Sequence, residues 1–445
     1  METILIKAAQ LIASLSILVV LHEFGHFMFA RLFKTRVEKF YLFFDPWFSL
    51  FKMKKGETEY GIGWLPLGGY VKISGMIDES MDKEAMKQPA QPWEFRSKPA
   101  WQRLLIMVGG VLMNFIFAFA IYIGVLYAWG EEYLPTKNAK YGIVVNDIGR
   151  EIGFKDGDNI LSVDNQYVEN FFKIVPTIVL DNAKTVQVER DGKKVNVDIK
   201  DADLALMLKS KALIEPRFPF KLGVKDFLKN SPGEKAGLKV GDEIVGLNGQ
   251  HFEYYDQWKN ALNEQAGNPI TLNIERNGKP IDINMTLGDD GQIGFANSHY
   301  TDQVFEYRTI NYGFFESIPA GIKRGVQTTL DYLKQFKLFF RPKTKAYESL
   351  GGFATIGNIF PGTWDWSSFW NMTAFISIIL AIMNLLPIPA LDGGHVMFLL
   401  FEMITGRKPG EKFLEYAQVA GMILLLALVL YANANDIIKM INGTF

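Results

Sequence analysis

The residues in this sequence best placed to do chemistry sit close together near its start. His22-Glu23-Phe24-Gly25-His26 reads H-E-x-x-H. On a helix, positions i and i+4 share a face, so both imidazoles can reach one metal ion. Glu23, beside His22, is placed to accept a proton from a water that such an ion activates. The pattern is specific, because the chain has only 5 His among 445 residues. It has no Cys, which excludes a thiolate nucleophile, a thiolate-held metal and disulfides. A catalytic zinc normally takes three protein ligands and leaves one position open, so a third ligand must come from elsewhere. The bland alternative is two helix-face histidines with an incidental glutamate, and its weight depends on where that helix lies.

It lies in an apolar stretch. A bilayer-spanning helix needs about 20 mainly apolar residues at about 1.5 Å each, and four stretches qualify: residues 8–30, 104–129, 369–391 and 413–432. Ionisable groups inside a membrane are costly and default to function, which weakens the incidental reading of Glu23. The first stretch is expected to be retained, because its charged start is weak and no small-residue cleavage site follows. The chain is 49% hydrophobic, 14% aromatic and 21% charged. That excludes a disordered chain, a collagen-like repeat and a pure membrane bundle, and leaves membrane helices joined to soluble domains. A formal charge of −1 argues against nucleic-acid binding.

Basic residues near helix ends set the orientation. Arg31, Lys34, Arg36 and Lys39 follow the first helix, and Arg96, Lys98 and Arg103 precede the second. Arg407, Lys408 and Lys412 lie between the third and fourth. The 31–103 loop is therefore expected in the cytoplasm, with both termini and residues 130–365 outside. His251 and His299 fall in that outward segment, too far from a membrane-embedded metal. His395 and the acids near the helices remain, and the strongest candidate is Asp392. It lies in Asn384-Leu385-Leu386-Pro387-Ile388-Pro389-Ala390-Leu391-Asp392-Gly393-Gly394. The prolines and glycines there would break the third helix, which a membrane tolerates only where backbone is buried in protein or lines a wet cavity. His395 is the weaker rival.

The outward segment contains two similar passages, Gly153 to Asp164 and Gly237 to Asn248. Their shared run, G-[FL]-K-x-G-D-x-I-[LV]-x-[VL]-[DN], resembles the loop-and-strand signature of PDZ domains. Ser231-Pro232-Gly233 and Ala236 precede the second copy, as is usual in that family, and the first copy lacks this preface. Such folds bind extended peptides by adding a strand to a sheet edge; the alternative is that the pair only packs as a sieve above the membrane. Phe314 to Phe340 has helical amphipathic spacing, which fits a helix lying on the outer membrane surface or one packed on the second PDZ-like domain. The expected fold is a polytopic α-helical membrane protein with four transmembrane helices and two PDZ-like α+β domains inserted between helices two and three. Its parts are 1–130 (two membrane helices and a cytoplasmic loop), 131–205 and 206–295 (the PDZ-like domains), 296–365 (linker with amphipathic helix) and 366–445 (two membrane helices).

H-E-F-G-H in the first helix, N-x-x-P-x-P-x-L-D-G from Asn384 to Gly393, and PDZ-like domains between them together resemble the site-2 protease family over nearly the whole chain. The resemblance implies an intramembrane zinc metalloprotease in which His22, His26 and Asp392 ligate Zn2+ and Glu23 is the catalytic base. It implies that Asn384 engages the substrate backbone or steadies the oxyanion. Tyr60 to Ile73, with Gly68 and Gly69, is similar to the family's membrane-reentrant β-hairpin, whose edge would pair with substrate; an ordinary cytoplasmic hairpin is the alternative. Asn114 matches the second-helix motif G-P-x-x-N-F, whose proline is missing here, and it reads equally as a packing residue. The G-G-P of many members is Gly351-Gly352-Phe353. The substrates implied are single-pass membrane proteins already trimmed on the outer side, such as an anti-sigma factor or signal-peptide remnants. The location implied is the cell inner membrane, with the PDZ domains periplasmic. A membrane-anchored PDZ adaptor without catalysis explains the soluble half but not the embedded His, Glu and Asp; a metal transporter explains neither Glu23 nor the PDZ pair.

Overall fold

The structure is a computed structural model that describes residues 2–76, 89–210, 212–228, 231–297, 304–339 and 350–442. The chain forms two compact units, one of residues 1–130, 311–336 and 350–445, the other of 131–310 and 337–349.

The first unit is built on four helices long and apolar enough to cross a membrane. They are α1 (Glu2–Leu32), α2 (Ala100–Trp129), α5 (Trp366–Leu385) and α7 (Glu411–Ile441). Three shorter or amphipathic helices complete it: α3 (Phe314–Phe339), α4 (Phe353–Asn358) and α6 (Asp392–Thr405). Half-exposed Trp101 and Trp129 mark the two ends of α2, the positions where amphipathic rings meet membrane interfaces.

Lipid offers no hydrophobic drive between apolar helices, so close backbone approach at small residues must hold them. Gly25 and Gly109 supply it. A Cβ on Gly25 would stand 2.2 Å from the Gly109 carbonyl oxygen, and one on Gly109 would stand 2.7 Å from the Gly25 oxygen. Helix α5 joins α2 through the Ser377 hydroxyl, which donates to the Asn114 carbonyl at 2.8 Å. Arg103 of α2 pairs with Glu402 of α6 at 2.5 Å, both side chains largely buried. The amphipathic helix α3 also packs on α2. A Cβ on Gly321 would meet Ile123 at 2.5 Å, and one on Gly325 would meet the Phe119 ring at 2.2 Å. Its small residues thus seat it on a membrane helix, a contact the sequence reading did not include.

Two further differences from the sequence reading have local causes. The third membrane helix stops at Leu385 and not at residue 391, because Pro387 has no N–H and pushes Leu386 into extended backbone (φ −60°, ψ 143°). Asp392 therefore does not end that helix; it opens the separate helix α6. Residues 60–73 are also not a hairpin by themselves. They form most of strand β2 (Thr58–Ile73), which pairs with the longer β1 (Val37–Lys55). Phe43 and Trp47, both at positive φ, bend β1 back on itself. Residues 39–42 consequently face residues 59–62 on one side and 69–72 on the other. Trp47 at the bend is 91% exposed and stacks near Trp64.

The second unit contains two hydrophobic cores. One gathers Leu134 to Leu213 with Phe305, the other Leu222 to Ile293. The first surrounds a three-stranded antiparallel sheet (Asn159–Val163, Thr185–Arg190, Lys193–Asp198) and the paired strands Ile143–Val145 and Ile214–Pro216. The second surrounds a five-stranded sheet in which Leu222–Phe227 lies between Glu243–Leu247 and Phe295–Asn297. The repeated G-D of the sequence has the same job in both. Asp158 is gripped by both ends of the Arg190 guanidinium at 2.7 Å, and Asp242 by Arg276 at 2.6 and 2.7 Å. Each arginine also donates to a glycine carbonyl, Gly153 or Gly237, at 2.9 Å.

Candidate metal centre

One helical turn on α1 separates His22 from His26, and the two rings lie edge to face with their Nε2 atoms 3.2 Å apart. Helix α6 begins with Asp392, whose Oδ2 is 3.1 Å from His22 Nε2 and 3.3 Å from His26 Nε2. These three residues are the one group among the described residues whose ligand atoms all lie within 4.8 Å of one another. His395 lies on the wall of the adjoining cavity but outside this set. His251 is in the other unit, hydrogen-bonded to the Val245 carbonyl, and His299 lies outside the described residues.

The hydrogen-bonding pattern shows what converges here. His26 Nδ1 is 2.8 Å from the carbonyl oxygen of Ile106. That oxygen can only accept, so the proton sits on Nδ1 and Nε2 presents a lone pair. Asn114, fully buried, has its amide 3.3 Å from His22 Nδ1, while Asn114 Oδ1 has no hydrogen-bond partner. A half-turn of that amide exchanges its oxygen and nitrogen without changing its shape. The oxygen then accepts from His22 Nδ1–H, and His22 Nε2 also presents a lone pair. Asp392 Oδ2 is itself buried and accepts no hydrogen bond. With both rings neutral, two imidazole nitrogens and a carboxylate oxygen thus point lone pairs at one another, an arrangement that is repulsive unless a cation, a metal ion or an added proton, lies between them. The donor set, two N and one O, is one that zinc takes.

Space for this convergence comes from α2. A Cβ on Gly110 would stand 2.5 Å from His26 Nε2 and 2.7 Å from His22 Cε1. The site opens on a cavity of about 700 Å³ lined by Glu23, Gly69, Tyr70, Val71, Asp392 and Gln418 among others. Glu23 meets the edge of β2 there. Glu23 and Val71 line the cavity together, and a Cβ on Gly69 would come within 3.6 Å of the Glu23 Cγ. Gly68 takes a φ of +149° beside the Phe44 ring, a conformation that suits glycine. Asn384, on the last turn of α5, brings its amide nitrogen to 3.4 Å from His22 Nε2.

Residues 10–428 match the sequence model of peptidase family M50. The chain belongs to that family. It is 29% identical over 457 residues to the regulator of sigma E protease of Haemophilus influenzae, covering 96% of this chain and 98% of that protein. It is 30% identical to the protease RseP of Yersinia pestis over 98% of this chain and 99% of that one. It is 29% identical to the regulator of sigma-E protease RseP of Escherichia coli over 96% and 97%. As an M50 member the chain is an intramembrane zinc metalloprotease and a multi-pass membrane protein. The site-2 protease family named from its motifs is this one.

The sequence reading missed parts of this candidate site that no motif position specifies. The Ile106 carbonyl that fixes His26 is backbone, and no residue type marks it. Ala390, at φ +81°, and Gln418 of α7 both line the cavity. The available signal for Gln418 was a polar residue inside an apolar span.

Proposed function

We propose that His22, His26 and Asp392 hold the zinc ion, that Glu23 is the catalytic base, and that the substrates are transmembrane segments of single-pass proteins. The convergence of three lone-pair atoms beside Glu23, inside a unit of membrane-length helices, carries this reading. When bound, zinc supplies Lewis acidity, which makes water nucleophilic at neutral pH and polarises a carbonyl.

The chain's own groups supply the rest. Glu23 accepts a proton from the attacking water and returns it to the leaving amine nitrogen. Asn384 donates to the oxygen of the scissile carbonyl as charge builds there. Asn114 keeps His22 in the tautomer and orientation a ligand needs. A substrate helix hides its carbonyls in i to i−4 hydrogen bonds, so it must unwind before attack. Gly69 to Ile73 line the cavity, and among the described residues they pair only with β1. Their other edge can receive the unwound segment as an added strand. Bare backbone at Gly68 and Gly69 lets that segment come close to Glu23.

The family resemblance implies a narrower class, a membrane-anchored anti-sigma factor with signal-peptide remnants as a second, similarly shaped substrate, and relatives named regulator of sigma E protease fit a regulatory role. On this reading the enzyme lies in the inner membrane with its PDZ-like domains in the periplasm, where they exclude substrates not yet trimmed on that side. The test is co-expression of an outer-truncated, tagged single-pass protein with wild type or Glu23→Gln, with zinc assayed in both purified enzymes. Cleavage by wild type alone, with one zinc in each protein, is expected. Equal cleavage by both would remove Glu23 from the chemistry, and zinc-free wild type would remove the metal centre.

A further inference from the structure

Between the end of α5 at Leu385 and the start of α6 at Asp392 the chain makes no regular structure. Short turn bonds fold it, from Ile388 N–H to the Leu386 carbonyl at 2.7 Å and from Leu391 N–H to the Ile388 carbonyl at 3.0 Å. Ala390 sits within this turn at φ +81°, in the left-handed region. That region is uncomfortable for a residue with a Cβ and persists only where neighbours impose it. Among the described residues nine other non-glycine positions have positive φ, and six of those are Asn or Asp, whose side chains ease it locally. Alanine has no such help.

What imposes it is α7. The Gln418 side-chain Oε1 accepts from the Ala390 N–H at 3.2 Å. One turn further along the same helix, a Cβ on Gly421 would stand 1.7 Å from the Pro389 carbonyl oxygen, so α7 lies directly on the preceding peptide. Most of α7 is exposed apolar surface, yet Gln418 is buried, 8% exposed. A buried amide in an apolar span is costly without its hydrogen bond. Here that bond is spent on the backbone two residues before Asp392.

We propose that Gln418 is a positioning residue for the metal centre. By holding Ala390 left-handed against α7, it aims the start of α6 so that the Asp392 carboxylate meets the two histidines. This inference rests on the reading of Asp392 as a ligand. Supports of this kind behind a metal ligand are worth about ten- to a hundredfold in metal affinity. It follows that the need for Gln418 is conditional on alanine at 390, since glycine adopts φ +81° freely.

The test measures zinc affinity by chelator competition, and the absorption bands of the cobalt-substituted protein, on the full-length enzyme in detergent. Gln418→Met keeps the volume and removes the acceptor, and about tenfold weaker zinc binding with an altered cobalt spectrum is expected. Gln418→Glu keeps an acceptor and should bind like wild type. Ala390→Gly alone should change little, and added to Gln418→Met it should restore most of the affinity. A merely structural role for Gln418 would lower thermal stability in Gln418→Met and Gln418→Met/Ala390→Gly alike. Zinc affinity of Gln418→Met within twofold of wild type, or no rescue by Ala390→Gly, overturns the proposal. Asp392→Asn is measured alongside. If it keeps full zinc affinity, the ligand reading fails and this proposal with it; if it loses zinc while Gln418→Met does not, only the positioning role fails.

Discussion

Asp158 and Asp242 in the second unit are buried, and Asp392 in the unit of membrane-length helices has one buried carboxylate oxygen, yet their surroundings are opposite. Asp158 is wholly enclosed and saturated with donors, taking two bonds from Arg190 and one from the Lys155 N–H. Asp242 repeats the arrangement with Arg276 and the Lys239 N–H. Such a carboxylate is finished: its lone pairs are occupied, and it can only hold the loop to the sheet. Asp392 keeps one oxygen facing two imidazole nitrogens, which are acceptors and not donors when the rings are neutral. The lesson is that burial alone does not separate a structural acid from a functional one. The count of donors aimed at it does, because a buried anion short of donors is tolerable only with a cation to complete it.

Four changes sharpen the contrast, beginning with the largest effect. Glu23, a fourth acid and a half-buried one, should be the most sensitive to a loss of charge without loss of shape. Glu23→Gln is expected to lower the cleavage rate by about 10³-fold or more with zinc content unchanged, measured as substrate cleaved per zinc-loaded enzyme. Asp392→Asn comes next, with zinc affinity falling by an amount far above the tenfold expected for a supporting residue.

Asp158→Asn should act in the other unit. It leaves Arg190 half-paired, and the first PDZ-like domain should lose roughly 3 kcal/mol, the low end for breaking a buried pair because Arg190 keeps some solvent. Hydrogen exchange in the Thr185–Arg190 strand reads this out, and the zinc content of the same sample should stay at the wild-type level. A joint loss of both would dissolve the distinction between the two kinds of acid.

The smallest effect is one of pH. Burial pushes the Asp242 carboxyl up, but the Arg276 guanidinium and the Lys239 N–H outweigh it and hold the group below the usual carboxylate range. A carboxyl depressed in the folded state stabilises at pH above its unfolded value and loses that contribution as pH falls through the folded value. Protection of the Glu243–Leu247 strand should therefore be flat above about pH 5 and decline below about pH 4. In Asp242→Asn that acid-side decline should be absent.

How much of this was legible beforehand depended on whether the information was local. H-E-x-x-H declares its geometry, because a helix fixes which residues share a face. Asp392 was legible by elimination, as the one acid among helix breakers at the end of an apolar run. Its true position at the head of α6 was not, since Pro387 and Pro389 mark where a helix stops without saying how soon another starts. The acids of the second unit were visible as the repeated G-D. Their partners were hidden, because Arg190 and Arg276 meet them across a sheet whose register no short motif encodes. Strand β1 escaped notice because Pro46 and the bends at Phe43 and Trp47 break its alternation. The hold of Gln418 on Ala390 is a contact between segments 28 residues apart in sequence, and nothing in either segment announces the other.

The most direct test is zinc-edge X-ray absorption of the purified full-length protein, compared with Asp392→Asn. A wild-type spectrum fitted by two imidazole nitrogens and light oxygen ligands at about 2.0–2.2 Å is expected, with zinc lost or the oxygen shell changed in the variant. A variant with wild-type zinc content and an identical spectrum would contradict the ligand role of Asp392, because the donor-poor carboxylate would then have no cation to complete.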